Sequence, residues 1–249
     1  MDGFKSLKHL ALGDFKRSLR DPRLLLLLLA PWINAIMARL LLPRLSFWLR
    51  HDLDLTAYYP LILGFLFLWL APLSIGLWAA ELLLEERSSG LTAVLSLPLP
   101  KRAYLAYRLW VPGLWAFFSV LACLAIALPR PMPTAPLIWL GLAASLQTPL
   151  LTLLLFAFSA DRDGAMALAR LLKFLGMLPI FAYFLPHGFG DLIGLLFPPY
   201  WLAKAFWSVW GGQMAYWRHL LVGVLLLVPL LGWAKGRFLK RLWASLGRG

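Results

Sequence analysis

The stretch Leu24–Leu42, LLLLLLAPWINAIMARLLL, decides the fold class. It is apolar almost throughout, and it has the roughly 17–25 residues that a helix needs to cross about 30 Å of hydrocarbon. A secretory signal core runs only about 7–15 residues. The run also holds Pro31, Asn34 and Arg39, and no clear small-x-small site follows it. It therefore predicts a retained membrane span.

Outward from this run, five more apolar segments recur at about 58–80, 109–128, 137–159, 171–186 and 217–234. The fifth is the shortest. Its core from Leu171 to Leu185 would reach only about 22 Å at 1.5 Å per residue, and Lys173 could snorkel at its inner end. Composition supports a membrane solvent. Hydrophobic residues make up 61% of the 249 and charged residues 14%, against about 45–50% and about 25% in soluble chains. A water-soluble core of this size could not hide so much apolar surface. The fold expected is an all-α polytopic membrane protein, one transmembrane domain over residues 1–249 with six spans.

The formal net charge of +13 comes from 24 Lys and Arg against 11 Asp and Glu. In a soluble chain that would suggest nucleic acid. Here the cations lie in short clusters between apolar runs, so no nucleic-acid partner is expected and membrane lipid is. With a cytoplasmic amino terminus, eighteen of the 24 fall on the inner side, five on the outer side, and Arg39 lies within the first span. The positive-inside rule expects this bias and favours an even number of spans. A multi-pass protein of the plasma (inner) membrane follows, with both termini cytoplasmic.

Three segments outside the spans carry information. Residues 1–23 place Phe4, Leu7, Ala11, Phe15 and Leu19 on one helical face, with six cations mostly elsewhere, which predicts an amphipathic helix in the membrane plane. Residues 187–216 are apolar and aromatic but interrupted by Gly188, Gly190, Gly194, Pro198 and Pro199. They predict two short helices that dip into the outer leaflet and return, broken near Pro198–Pro199. The inner loop, residues 81–108, has three acids at Glu81, Glu85 and Glu86, then Arg87, a Ser-Ser-Gly turn and a short apolar helix from Leu91 to Leu97. Glu81 and Glu85 share a helix face, so basic partners or water must relieve their repulsion. The loop helix needs a cover for Leu91, Val94, Leu95 and Leu97, and the residues alone leave open whether its own bundle or another protein supplies it.

Signals of catalysis are mostly absent. His9, His51, His187 and His219 are scattered without metal-ligand spacing, and neither a G-x-S-x-G elbow nor a phosphate-binding loop occurs. Asp161 and Asp163 flank Arg162 in a short loop that reads as a solvated turn. Cys123 reads as a packed apolar residue.

The inner loop resembles the signature region of type 2 ABC transporter permeases: an acidic helix end, a Gly, Thr with apolar residues, Leu-x-x-Pro, a basic residue and Tyr. The corresponding residues are Glu85-Glu86-Arg87, Gly90, Leu91-Thr92, Leu95, Leu97-Pro98, Lys101-Arg102 and Tyr104. Asp14–Arg23 resembles that family's amino-terminal helix, and Pro198–Trp201 its broken outer helices. Arg20-Asp21-Pro22, Tyr58-Tyr59-Pro60 and Glu85-Glu86-Arg87 resemble the small permeases of fluoroquinolone exporters. Ser88-Ser89 occupies the spacing between acids and Gly, a departure that touches the turn.

The resemblance implies the membrane subunit of an ATP-driven exporter for a drug-like or lipid-like amphiphile. ATP and Mg would sit on separate ATPase subunits, leaving no cofactor and no hydrolysis in this chain, and a second permease, identical or different, would complete the pair. Glu81, Glu85, Glu86, Arg87, Gly90, Leu91, Leu95, Leu97 and Arg102 would couple to the ATPase, with Phe15, Arg17, Arg20 and Asp21 on the helix packed beside them. A cargo path would run between protomers along the first, second and fifth spans. Arg39 and Asp191 are its notable polar residues, although Arg39 reads more simply as snorkelling, and no cargo-binding residue is assigned. The alternatives are a membrane-embedded lipid-modifying enzyme and a non-transporting assembly protein.

Overall fold

A computed structural model describes residues 2–88, 101–185 and 189–246. Among these, six helical stretches are long and apolar enough to cross a membrane: Pro22–Leu49, Leu55–Ser88, Ala103–Ala127, Thr134–Phe158, Arg162–Tyr183 and Tyr216–Lys240. An amino-terminal helix, Asp2–Arg20, precedes them, and Phe189–Leu196 and Pro199–Trp210 lie before the last.

Local chemistry sets several of these boundaries. Asp21 ends the amino-terminal helix and caps the first span, where its side chain accepts from the Arg23 amide and Pro22 follows at the first turn. Proline tolerates that position because its missing N–H has no intrahelical partner there. The amino-terminal helix is amphipathic, as expected. Leu12, Phe15 and Leu19 are exposed, while Asp14 and Ser18 are buried against the bundle. Such a helix meets the protein with its polar side and offers its apolar side to lipid.

The second span is not a uniform α-helix. Gly64–Leu70 is π-helical and leads into Ala71–Ser88. Pro72 accounts for the widening: it has no N–H for the Leu68 carbonyl, and its ring crowds that oxygen. Gln147, buried in the fourth span, supplies the missing donor, its Nε2 lying 2.8 Å from Leu68 O. Five residues further along the fourth span, Thr152 Oγ1 donates to Gly76 O at 3.2 Å. Side chains of the fourth span thus satisfy backbone groups of the second, as a hydrocarbon surround requires.

The fifth span departs from expectation. It does not start near Leu171. Asp161 caps a helix that begins at Arg162, accepting from the Gly164 amide at 2.7 Å, and the span ends at Tyr183. The acidic cap extends it back through residues that hydropathy reads as loop. It breaks after Leu175 and resumes at Leu178. Gly176 stands at the break because a Cβ there would sit 1.8 Å from Trp69 Nε1.

The two short helices before the last span form as expected, broken at Phe197–Pro198. The reading of Gly190 and Gly194 as breakers does not hold. Both lie inside the helix Phe189–Leu196. A Cβ on Gly194 would lie 2.3 Å from the Tyr200 ring, and one on Gly190 would lie 2.9 Å from Ala182 O. These glycines allow close packing. The fourth span is mostly buried, whereas the first and last are mostly exposed, which suits a bundle whose periphery faces lipid.

Candidate functional site

Charged side chains from five segments meet at the end of the bundle where the second span finishes. Glu81 is completely buried and receives two guanidinium groups. Arg23 Nε donates to its Oε1 at 2.9 Å, and Arg162 donates to its Oε2 from Nε at 3.2 Å and Nη2 at 3.0 Å. Arg162 Nη2 also donates to Asp21 Oδ2 at 2.6 Å. Arg23 continues to Asp163 Oδ1 and to the Arg162 carbonyl, each at 2.9 Å. Arg162 is therefore an interhelical clamp in the first turn of the fifth span, not part of a solvated turn. Its hydrogen bond holds the Asp21 carboxyl below the usual range, against a smaller upward push from desolvation.

A second cluster lies beside it. Arg108, buried in the third span, donates from Nη1 to Asp14 Oδ2 at 2.6 Å and from Nη2 to Glu86 Oε1. Tyr107 donates to Asp14 Oδ2 at 2.8 Å, and Tyr104 donates to Glu86 Oε2. Ser18 extends the cluster along the amino-terminal helix by accepting from Trp78 Nε1 at 2.9 Å. Arg17 and Arg162 approach Glu85 at 3.8 and 4.0 Å, and the Arg87 guanidinium lies 5.9 Å from the Phe156 ring centroid. The crowding of acids is thus relieved by cations. A buried charge is tolerable only when paired and hydrogen-bonded, and both clusters meet that condition.

Of the residues expected to couple to an ATPase, the structure brings together Glu81, Glu85 and Glu86, with Arg17 and Asp21, while the Arg87 guanidinium lies over the Phe156 ring of the fourth span. Phe15 and Arg20 are exposed and stand apart from both clusters. Arg102 lies in the first turn of the third span's helix. Gly90, Leu91, Leu95 and Leu97 lie outside the described residues. Sequence reasoning gave no role to Asp14, Arg23, Tyr104, Tyr107 or Arg108. A usable signal existed for Asp14, the lone acid on the buried side of a basic helix, and for Arg108, a cation inside an apolar run.

At the opposite end of the bundle, Arg39 donates from Nη1 to the Leu128 carbonyl at 3.0 Å, so it satisfies a backbone group beyond the third span rather than merely reaching headgroups. Asp191 accepts from Tyr200 at 2.9 Å and from Lys204. Desolvation pushes the Asp191 carboxyl up, but these donors and the nearby cation outweigh it and hold it below its ordinary value. Burial, and then the same carboxylate, push the Tyr200 hydroxyl up.

Residues 14–234 match the family of fluoroquinolones export permease proteins of the Rv2686c-like type. Two curated proteins of Mycobacterium tuberculosis are each 31% identical over 228 residues, covering 90% of this chain and 90% of each relative. They are the fluoroquinolones export permease proteins MT2760 of strain CDC 1551 / Oshkosh and Rv2686c of strain ATCC 25618 / H37Rv.

Proposed function

The chain belongs to the Rv2686c-like family of fluoroquinolones export permeases, and from that premise we propose that it is the membrane subunit of an ATP-driven exporter of drug-like aromatic amphiphiles. Hydrolysis of ATP belongs to a separate subunit, and a second permease completes the path. The chain sits in the plasma membrane with the charge clusters and both termini on the cytoplasmic side.

The observation that carries this reading is the pair of clusters directly preceding residues 89–100. They tie the amino-terminal helix to the first, second, third and fifth spans through Asp14, Asp21, Glu81 and Glu86. A displacement of the segment between the second and third spans reaches the rest of the bundle through these pairs. Packed elements with specific ion pairs shift as units and do not deform continuously. A cavity of about 260 Å³ between the first, second and fifth spans, edged by Asn34, Ser74, Arg170 and Lys173, supplies room for cargo on that side.

The test is co-expression with a companion ATPase. The wild-type pair is expected to co-purify and to lower fluoroquinolone accumulation in cells, and Leu95→Arg is expected to abolish both while leaving the permease folded in the membrane. Unchanged co-purification and efflux in Leu95→Arg would remove the docking segment from the proposal. A wild-type pair without efflux would remove the export function.

A further inference from the structure

The cavity of about 260 Å³ between the first, second and fifth spans begins one helical turn from the clamp of Arg23, Glu81 and Arg162. Leu27, Leu77 and Met166 line it, each four residues from a member of that clamp. Asn34 and Lys173 line it farther along, each eleven residues from the clamp, about 16 Å at 1.5 Å per residue. Its polar lining is Asn34, Ser74, Arg170 and Lys173, and among the described residues no carboxylate joins them. Because the fifth span starts at Arg162, Arg170 and Lys173 stand about two and three turns inside it, not at its mouth. Both are exposed, and neither side chain has a hydrogen-bond or ion-pair partner among the described residues. Arg23, Arg108 and Arg162, at the same end of the bundle, each hold a carboxylate. A cation without a partner at this depth is costly in hydrocarbon, and such residues mark binding sites or wetted paths. Side chains on a helix lean toward its amino-terminal end, which here carries both cations back toward the clamp and the membrane surface.

We propose that this cavity holds one anionic phospholipid, its phosphate on Arg170 and Lys173 and an acyl chain along Leu27, Leu70, Leu73 and Met166. Two cations with no acid among them are matched by a ligand of net negative charge. Basic pockets between membrane helices on the cytoplasmic side take such headgroups. A free anion would satisfy the charges but leave the apolar wall uncovered. A zwitterionic lipid would cover the wall but bring its own cation to Arg170 and Lys173. An anionic lipid does both. The Asn34 carboxamide, deeper than Arg170 and without a partner among the described residues, offers a donor to the glycerol ester carbonyls. The same cavity supplies room for cargo, so this lipid is the resident that arriving cargo displaces. Its leaflet, the cytoplasmic one, rests on the orientation proposed above, whereas the match of charge and shape does not.

The test reconstitutes the whole protein, without any ATPase, in vesicles of equimolar dioleoylphosphatidylglycerol and dioleoylphosphatidylcholine. The protein is extracted in dodecyl maltoside and washed, and the lipid it retains is quantified by mass spectrometry. Wild type is expected to keep the anionic lipid over the zwitterionic one by roughly tenfold, the scale of one charge-assisted hydrogen bond. Arg170→Gln with Lys173→Gln is expected to erase that enrichment. Lys235→Gln with Lys240→Gln, on the last span, is expected to preserve it. Ala30→Trp, which fills the cavity and keeps both cations, is expected to lose the bound lipid. A wash in inorganic phosphate is expected to leave the lipid in place, and its release there would assign the site to a free anion and overturn the proposal. Equal retention of the two lipids by wild type overturns it without recourse to any variant, as does full enrichment in the Arg170→Gln, Lys173→Gln protein or in Ala30→Trp. Efflux from cells is scored separately. Lipid enrichment without efflux would remove the exporter reading and leave the site, while efflux without enrichment would remove the site and leave the exporter.

Discussion

Replacing Gln147 by Leu should cost stability only while Pro72 is present. Gln147 is buried, and its Nε2 donates to the Leu68 carbonyl at 2.8 Å. In a regular α-helix that oxygen would accept from the amide of residue 72, which proline lacks. Hydrogen bonds between membrane helices average about 0.6 kcal/mol and reach about 1.7 kcal/mol. The upper part of that range applies, because Pro72 has removed the ordinary helical donor. An orphaned buried carbonyl costs about 1–3 kcal/mol in soluble proteins, while the apolar gain of Leu over Gln offsets part of this. Gln147→Leu is therefore expected to destabilise by about 1–1.5 kcal/mol in the wild-type background. With Pro72→Ala, the residue 72 amide becomes available to Leu68 and the same change should cost close to nothing. Equilibrium unfolding of the four proteins in mixed dodecyl maltoside and SDS micelles gives the coupling energy of the cycle. An equal cost of Gln147→Leu in both backgrounds would refute the account of the π-helical segment and its repair.

Arg108→Met removes the cation shared by buried Asp14 and Glu86, and its expected cost is about 3–5 kcal/mol. Adding Asp14→Asn and Glu86→Gln should restore much of that loss in the same unfolding assay. Asp21→Asn removes a carboxyl whose acidity is raised by Arg162. Because the folded value is depressed, the wild type holds this contribution at neutral pH and loses it as pH falls below the ordinary carboxylate value of about 3.9. Stability against pH should therefore be lower for Asp21→Asn near neutrality and converge with the wild type in acid. Gly194→Val would place a Cβ 2.3 Å from the Tyr200 ring, and overpacking of this kind costs about 1–3 kcal/mol or more. Unfolding in the same micelle assay reads that loss, and an unchanged stability would show that Phe189–Leu196 does not depend on its close approach to Tyr200.

What could be read from the sequence follows from the range of each physical signal. The spans are legible because leucine-rich runs such as Leu24–Leu29 report their solvent residue by residue. The break at Pro198 is legible because proline acts on its own helix. The charge clusters were half legible: Glu81, Glu85 and Glu86 announce a problem, but its solution lies far along the chain. Arg23 is 58 residues from Glu81, and Arg108 is 94 from Asp14. No spacing rule within one segment encodes such pairs. Arg162, flanked by Asp161 and Asp163, reads as part of a solvated turn, yet Asp161 caps a helix and the guanidinium crosses to Glu81 and Asp21. Gly190 and Gly194 were misread for a related reason. Glycine breaks helices exposed to water but permits close approach where another helix lies against it, and only the position of Tyr200 distinguishes the two cases.

The arrangement of Asp14 and Asp21 bears on how motion would travel. Asp14 lies inside the amino-terminal helix, and Asp21 stands just past its end, as the cap of the first span. They do not share a partner. Asp14 holds the third span through Arg108, and Asp21 holds the fifth through Arg162, which also grips Glu81 on the second. The opposite side of the helix presents Leu12, Phe15 and Leu19 outward, where lipid yields without specific bonds to break. A helix restrained on one side and free on the other moves most cheaply by sliding in the membrane plane or rolling about its paired carboxylates. Either motion loads the third and fifth spans together. Independent movement of those two spans would require one carboxylate to leave its guanidinium, which at Asp14 separates a buried carboxylate from its cation. Spin labels placed on the two spans near Arg108 and Arg162 should therefore keep a constant separation through the transport cycle, and a change in that distance before either ion pair opens would show that the amino-terminal helix does not link them.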